Sequence, residues 1–389
     1  MGASNKNAKT VRRMLNCSRK KNWVSAWRFV FSAYENSSGQ ERKFFIELSM
    51  LNPFLSPSEP VLGFAPRSKI QPEDLQNVLA GSVSATKLES ESIEVPSHVS
   101  VSAGMLGPGA KSLRTYTSIK NVKTSLKPLE VSLEECFFSE DRLSGKIECS
   151  PASIQEHPEY FCDSGYATWD IHYEIRRDSA FGYKSKLFSW NPLGLRAVFA
   201  GTIIMDGKVF NVIPKRSFGY ADCFFGKDFV YPWLRLSSSN FTSIISGKTL
   251  QDSSFALQGL FNDRFSAVLE LEGKVIAFEA HKGKRAYECH WELNQINDND
   301  EQKKLHWTIT LHNRSYVIDI DVYSTASQMF VRALELSGGA REKLNVLSDG
   351  EGLGEIRLYK RIRRNLELIE YAKIAGTFCE FGQKEDSEF

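Results

Sequence analysis

Two aspartates in an aromatic, glycine-punctuated stretch are the residues of this 389-residue sequence best suited to acid chemistry. Asp222 and Asp228 lie in residues 214–240, PKRSFGYADCFFGKDFVYPWLRLSSSN, beside Gly219, Gly226 and a Pro232-Trp233 step. Phe218, Tyr220, Phe224, Phe225, Phe229 and Tyr231 crowd the same stretch. A carboxyl desolvated among rings is disfavoured in its charged form, so its pKa rises. Such an acid can protonate an electron-rich double bond, and ring faces stabilise the resulting cation. Asp170 and Glu380 are the next carboxylates of this kind. The plainer alternative for any one of them is a structural carboxylate that accepts backbone N–H groups in a turn.

Other chemistries lack their residues. His281, His290, His306 and His312 show neither HExxH nor Cys/His spacing, so no metal site is read. No GxGxxG opens a helix, and there is no Walker loop or GxSxG elbow, so no cofactor is expected. A formal net charge of +2 gives no strong field toward nucleic acid. The basic cluster of Arg357, Lys360, Arg361, Arg363 and Arg364 has only Tyr359 among it, which suits a solvated edge better than RNA. The seven cysteines are scattered without a CxxC pair, which predicts reduced thiols and a cytoplasmic location.

The elements that must hold these residues read as strands. Hydrophobic residues at 42% and charged residues at 25% describe a globular chain, and 12% aromatics suit sheet faces or a lined cavity. Residues 27–34 and 43–51 form a hairpin signal, and Asp206-Gly207 is the strongest hairpin turn in the chain. Trp169, Ile171, Tyr173 and Ile175 alternate with Asp170, His172, Glu174 and Arg176. Short helices are expected only at 72–79, 327–336 and 362–369. Residues 214–240 fit neither period and read as an irregular connector, either plugging the mouth of a β-structure or serving as a plain linker.

So many short strands predict an all-β fold of barrels or sandwiches in two units that join near residue 215. The expected division is a basic flexible leader at 1–22, β units at 23–214 and 215–382, and a tail at 383–389. The leader carries seven basic residues before Trp23 and no acid. It reads as a frayed solvated tail, with contact to an anionic membrane surface as the other option. No run approaches 18 apolar residues, so no membrane-spanning helix is expected. In the second half, Trp291 and Trp307 fall on apolar strand faces, which line a ligand cavity or simply fill a core.

Several blocks in order carry a resemblance. They are TWDIHYE at 168–174, GTIIMDGKVFNVIP at 201–214, SFGYADCFFGKDFVYPWLRLSSSN at 217–240, GLGEIRLYKR at 352–361 and CEFG at 379–382. Together they resemble the tocopherol cyclase-like proteins of the lipocalin-like group that also contains carotenoid hydratases. The likeness covers about residues 23–382, and only the central block is specific.

The resemblance implies two lipocalin-like antiparallel β-barrel domains. It also implies cofactor-free, acid-promoted addition of water or a hydroxyl to an alkene of an isoprenoid. By position, Tyr220, Asp222 and Asp228 fall in the family's central motif, with Trp233 and Asn240 after it, and Trp169 and Asp170 hold the mid-chain Trp-Asp step. Relatives tend to carry Lys-x-Trp-Gly after the aspartate, where this chain has Cys223, Phe224, Phe225 and Gly226. That departure removes a cation and a tryptophan from beside the acid. Three readings follow: a cyclase or hydratase acting on a hydrophobic small molecule, a non-catalytic lipid or isoprenoid carrier, and a structural or partner-binding β protein.

Overall fold

The computed structural model describes residues 2–15, 22–62, 76–77, 79–82, 95–158, 160–179, 182–260, 264–281, 289–297, 303–325, 329–338 and 343–384. They form two antiparallel sheets, with few helices. The first begins with the hairpin β1 (Val24–Glu35) and β2 (Glu41–Leu51), then β3 (His98–Leu106) and β4 (Lys111–Thr117). Four short strands follow: β5 (Lys123–Leu126), β6 (Leu129–Leu133), β7 (Cys136–Ser139) and β8 (Arg142–Cys149). After them come β9 (Gly165–Arg177), β10 (Phe188–Met205), β11 (Lys208–Val212) and β12 (Gly219–Gly226). Strand β1 meets β2 on one side and β11 and β12 on the other, and β12 also pairs with β10.

The second sheet opens with β13 (Trp233–Ser238), β14 (Phe241–Ser243), β15 (Ser254–Leu260), β16 (Arg264–Leu271) and β17 (Lys274–His281). It continues with β18 (Cys289–Asn297), β19 (Lys303–His312), β20 (Tyr316–Thr325) and β21 (Phe330–Glu335). The long hairpin β22 (Lys343–Ile362) and β23 (Asn365–Lys384) completes it. Strand β13 lies between β15 and β23.

Local turn chemistry behaves as its residues require. Asp206 and Gly207 join β10 to β11 with φ of 49° and 81°, the positive pair that a two-residue hairpin needs. Residues 330–335, expected as helix, are strand β21, because pairing with β22 outweighs a weak local preference. Residues 362–369 are likewise a hairpin turn and strand, with Arg363 at φ 56°. Most of the expected helix at 72–79 lies outside the described residues.

The stretch 214–240 is no irregular connector. After a short 3-10 turn it forms β12, then a turn with a cis Tyr231–Pro232 bond, then β13. Both strands are buried on both faces, which is why no alternation shows in their sequence. Pairing carries the first sheet past residue 214 to Gly226.

The leader also differs from a frayed tail. Helix α1 (Gly2–Leu15) places Ala8, Val11 and Met14 on one face, and all three join the first core. Asn7 donates to the Leu193 carbonyl at 2.7 Å, and Arg12 pairs with Glu140 at 3.3 Å.

Each sheet wraps its own apolar core. Trp27, Phe29, Phe31, Phe44, Phe138, Trp169 and Phe199 fill the first, and Phe241, Phe255, Phe278, Trp307 and Phe381 fill the second. A third layer, the seam, lies between them: Val24, Ala26, Trp190, Tyr220 and Phe224 meet Ala256 and Val268. Further along it, Val30 and Phe45 meet Phe330 and Phe378.

Candidate functional site

Strand register builds the centre of the seam. Arg28 is opposite Glu47 on β2 and opposite Asp222 on β12, so an acid–arginine–acid row crosses three strands of the first sheet. In the second sheet Arg235 is opposite Gln258 on β15 and Glu380 on β23. The two rows face each other. Arg28 donates to Glu380 Oε2 at 2.5 Å and to Asp222 Oδ2 at 3.1 Å. Arg235 Nη1 is 3.1 Å from Glu380 Oε1, and its Nε donates to Gln258 at 2.9 Å. Arg332 on β21 reaches across to Glu47, with donors at 2.9 and 3.4 Å.

Three arginines thus meet three carboxylates, and none of the six is more than 6% exposed. Burial alone would raise the Glu47 carboxyl, but Arg332 and Arg28 outweigh it and hold the group at about 2. Asp222 goes the other way. Its complete burial raises it above the ordinary carboxylate value, although Arg28 and Trp190 pull downward. Its Oδ2 accepts from Trp190 Nε1 at 2.8 Å, Tyr220 O–H at 3.0 Å and Arg28. Its Oδ1 has no hydrogen-bond partner among the described residues. All three donors fall on Oδ2, which leaves Oδ1 as the unpaired oxygen.

A cation and a tryptophan do stand beside Asp222, supplied by Arg28 and Trp190 from other strands. Alternation along β12 sends Ala221, Cys223 and Phe225 into the first core and Tyr220, Asp222 and Phe224 into the seam. The Asp222 carboxyl looks between the two sheets and not into either sheet's own core.

Other expected site residues scatter. Asp228 is half-buried, and its Oδ1 accepts the N–H groups of Phe229 at 2.8 Å and Ser337 at 3.3 Å, a turn-holding role. Burial raises its pKa. Asp170 is corrected as an acid candidate: it is exposed, and hydrogen bonds from Arg142 at 2.9 and 3.0 Å lower its pKa. Trp169 and Trp307 are core residues, and Phe225 stacks on Trp23. Trp233 donates Nε1 to Glu380 at 3.2 Å and stacks on Phe229. Asn240 sits at the turn between β13 and β14, and its N–H donates to Ser238 Oγ. The side chain of Trp291 lies outside the described residues. Among those, no cluster of metal-ligating side chains occurs.

A cavity of ≈ 50 Å³ adjoins the ion cluster and shares Glu47 and Arg332 with it. Met50, Leu51 and Phe229 form its apolar part, and His98, Arg114 and Glu335 its polar part. The sequence reading missed Arg28, Glu47, His98, Arg235, Arg332 and Glu335. Their only local signal is a lone charge inside an otherwise apolar strand, as in Trp27-Arg28-Phe29, Phe45-Ile46-Glu47-Leu48 and Leu234-Arg235-Leu236.

No known protein family matches the chain, and no curated protein does. Among solved structures, it is similar to a candidate AttH protein from Nitrosomonas europaea at 10% identity and a TM-score of 0.42, covering 91% of this chain and 92% of that one. It is also similar to kievitone hydratase from Nectria haematococca at 11% identity and a TM-score of 0.43, covering 94% and 91%. Both likenesses are too remote to carry over a residue role or a substrate.

Proposed function

We propose that the seam performs acid-promoted addition of water or a hydroxyl to an alkene of a hydrophobic molecule, with Asp222 as the proton donor. One observation supports this above the rest. The Asp222 carboxyl is fully enclosed, carries all its donors on Oδ2 and leaves Oδ1 free for a proton. The proton adds to one alkene carbon and leaves a cation on the other, which takes an oxygen nucleophile that then loses its own proton. Aromatic residues Phe224 and Tyr220 pack beside the acid, and ring faces stabilise such a cation. Hydration or cyclisation of an isoprenoid, as in tocopherol cyclase-like proteins, is one form of this reaction.

The test is turnover of a panel of prenylated substrates in D₂O, read by mass spectrometry. Solvent deuterium should become fixed on carbon, and Asp222→Asn should lower its incorporation at least about a hundredfold, the scale of a lost general acid. Unchanged incorporation in the variant would remove Asp222 from the chemistry.

A second reading, ligand carriage, is favoured by a different cavity. Beneath α1 lies a space of ≈ 380 Å³ lined by Val11, Trp27, Leu129, Tyr173, Ile175 and Leu193. It is within the size range of ligand sites and does not touch Asp222. Native extraction followed by mass spectrometry separates the two: a carrier loses its bound lipid when Leu193→Trp fills this space, and neither variant nor wild type fixes deuterium on it.

A further inference from the structure

His98, the first residue of β3, is 7% exposed and lines the seam cavity. Its Nε2 lies 2.8 Å from Glu335 Oε2, which arrives from β21 in the other sheet. A carboxylate accepts at Nε2, so in the neutral imidazole the proton sits on Nε2 and the lone pair on Nδ1. Nδ1 is buried and has no hydrogen-bond partner among the described residues. Tyr116 packs edge-on against the ring at 4.9 Å and holds its plane. Arg114 lines the same cavity, and its hydrogen bonds go to two neutral hydroxyls: Ser102 at 2.8 Å and Tyr116 at 3.3 Å. The remaining charged neighbours, Glu47 and Arg332, are bonded to each other.

A buried lone pair without a donor is costly unless something fills the space beside it. Here a carboxylate orients an imidazole, and that imidazole lines the same cavity as a guanidinium. The cavity measures ≈ 50 Å³. At about 10–15 Å³ per water it holds roughly three to five waters, or one small ring.

We propose that this cavity binds a hydroxyl-bearing small molecule whose proton passes to His98, with Glu335 as the positioning residue and Arg114 facing the oxyanion. The ligand's O–H bond breaks and an Nδ1–H bond forms, while the electron pair stays on oxygen. The imidazolium is then matched by Glu335 and the oxyanion by Arg114, and no further reactant is consumed. The assignment rests on the seam being the functional region, and it supplies the base that deprotonates the nucleophile there. It does not depend on Asp222.

4-Nitrophenol tests it, because phenol and phenolate differ in colour and no turnover is needed. In mildly acidic buffer, where the free probe is colourless, the wild-type protein should bind it and develop the nitrophenolate band. His98→Phe, which keeps a ring against Tyr116, should bind without colour. Glu335→Gln should cut the band about tenfold, and Arg114→Met should weaken binding about tenfold, the scale of one hydrogen bond to a charged group. Thermal melts report folding, and if His98→Phe does not fold, Glu335→Gln carries the test alone. A probe that binds without colour, a band that survives His98→Phe, an undiminished band in Glu335→Gln, or no binding at all would overturn the proposal. None of these results bears on deuterium incorporation by Asp222.

Discussion

Trp27, Phe29 and Phe31 leave one face of β1 for the first core, while Ala26, Arg28 and Val30 leave the other for the seam. Both faces are fully buried, yet they are stabilised in different ways. Packing on the core face is non-directional and spread over many contacts, so similar-sized swaps are tolerated. On the seam face Arg28 depends on Asp222, Glu380 and Glu47, and removing one partner leaves a charge with no water to receive it. Strand alternation thus gives the molecule a forgiving interior and an exacting one 180° apart.

Arg28→Met breaks that contrast most severely. It keeps the stem's volume but strands Asp222 and Glu380, and should cost about 3–5 kcal/mol in urea denaturation, or prevent folding. A loss below about 1 kcal/mol would mean that the seam charges are not enclosed as described.

Acid titration sharpens the comparison, because only the seam face titrates. Glu47 is held at about 2 against an ordinary 4.5, so its contribution is present above pH 4.5 and is lost as pH falls toward 2. The amount is on the order of 3 kcal/mol. Asp222 has the opposite sign: its ionised form burdens the folded state above the ordinary carboxylate value, and acid relieves that burden. Glu47→Gln should therefore flatten the acid limb of stability against pH, and Asp222→Asn should steepen it. Identical acid limbs in wild type and Glu47→Gln would count against the network.

The smallest effect belongs outside both interiors. Asp170 pairs with Arg142 in good geometry, but the side chains are 57% and 44% exposed. Asp170→Asn should change the unfolding free energy by less than about 1 kcal/mol and leave deuterium incorporation intact. A larger effect on either would restore Asp170 to the site.

The parts legible in advance were the local ones. Asp206-Gly207 announced its hairpin because a two-residue turn needs positive φ at both positions. Asp222 stood out because aromatics flank it in the chain and flank it still in the seam. The strand nature of 219–226 stayed hidden, since a strand buried on both faces shows no alternation. Helix α1 was legible in hindsight from Ala8, Val11 and Met14 at three-residue spacing, but the basic residues among them suggested a solvated tail. The partners of Asp222 were out of reach: Arg28 is 194 residues away, and Glu380 lies 352 residues from Arg28.

By itself the sequence determined the strand-rich class, the tight turns and the aromatic surroundings of Asp222, because dihedral preference and side-chain chemistry act within a few residues. Only the tertiary structure decided that Arg28 stands between Glu47 and Asp222, that Arg235 faces them, and that His98 meets Glu335 across the seam. Register and sheet-to-sheet packing set those meetings, and both depend on how distant strands bury their faces together.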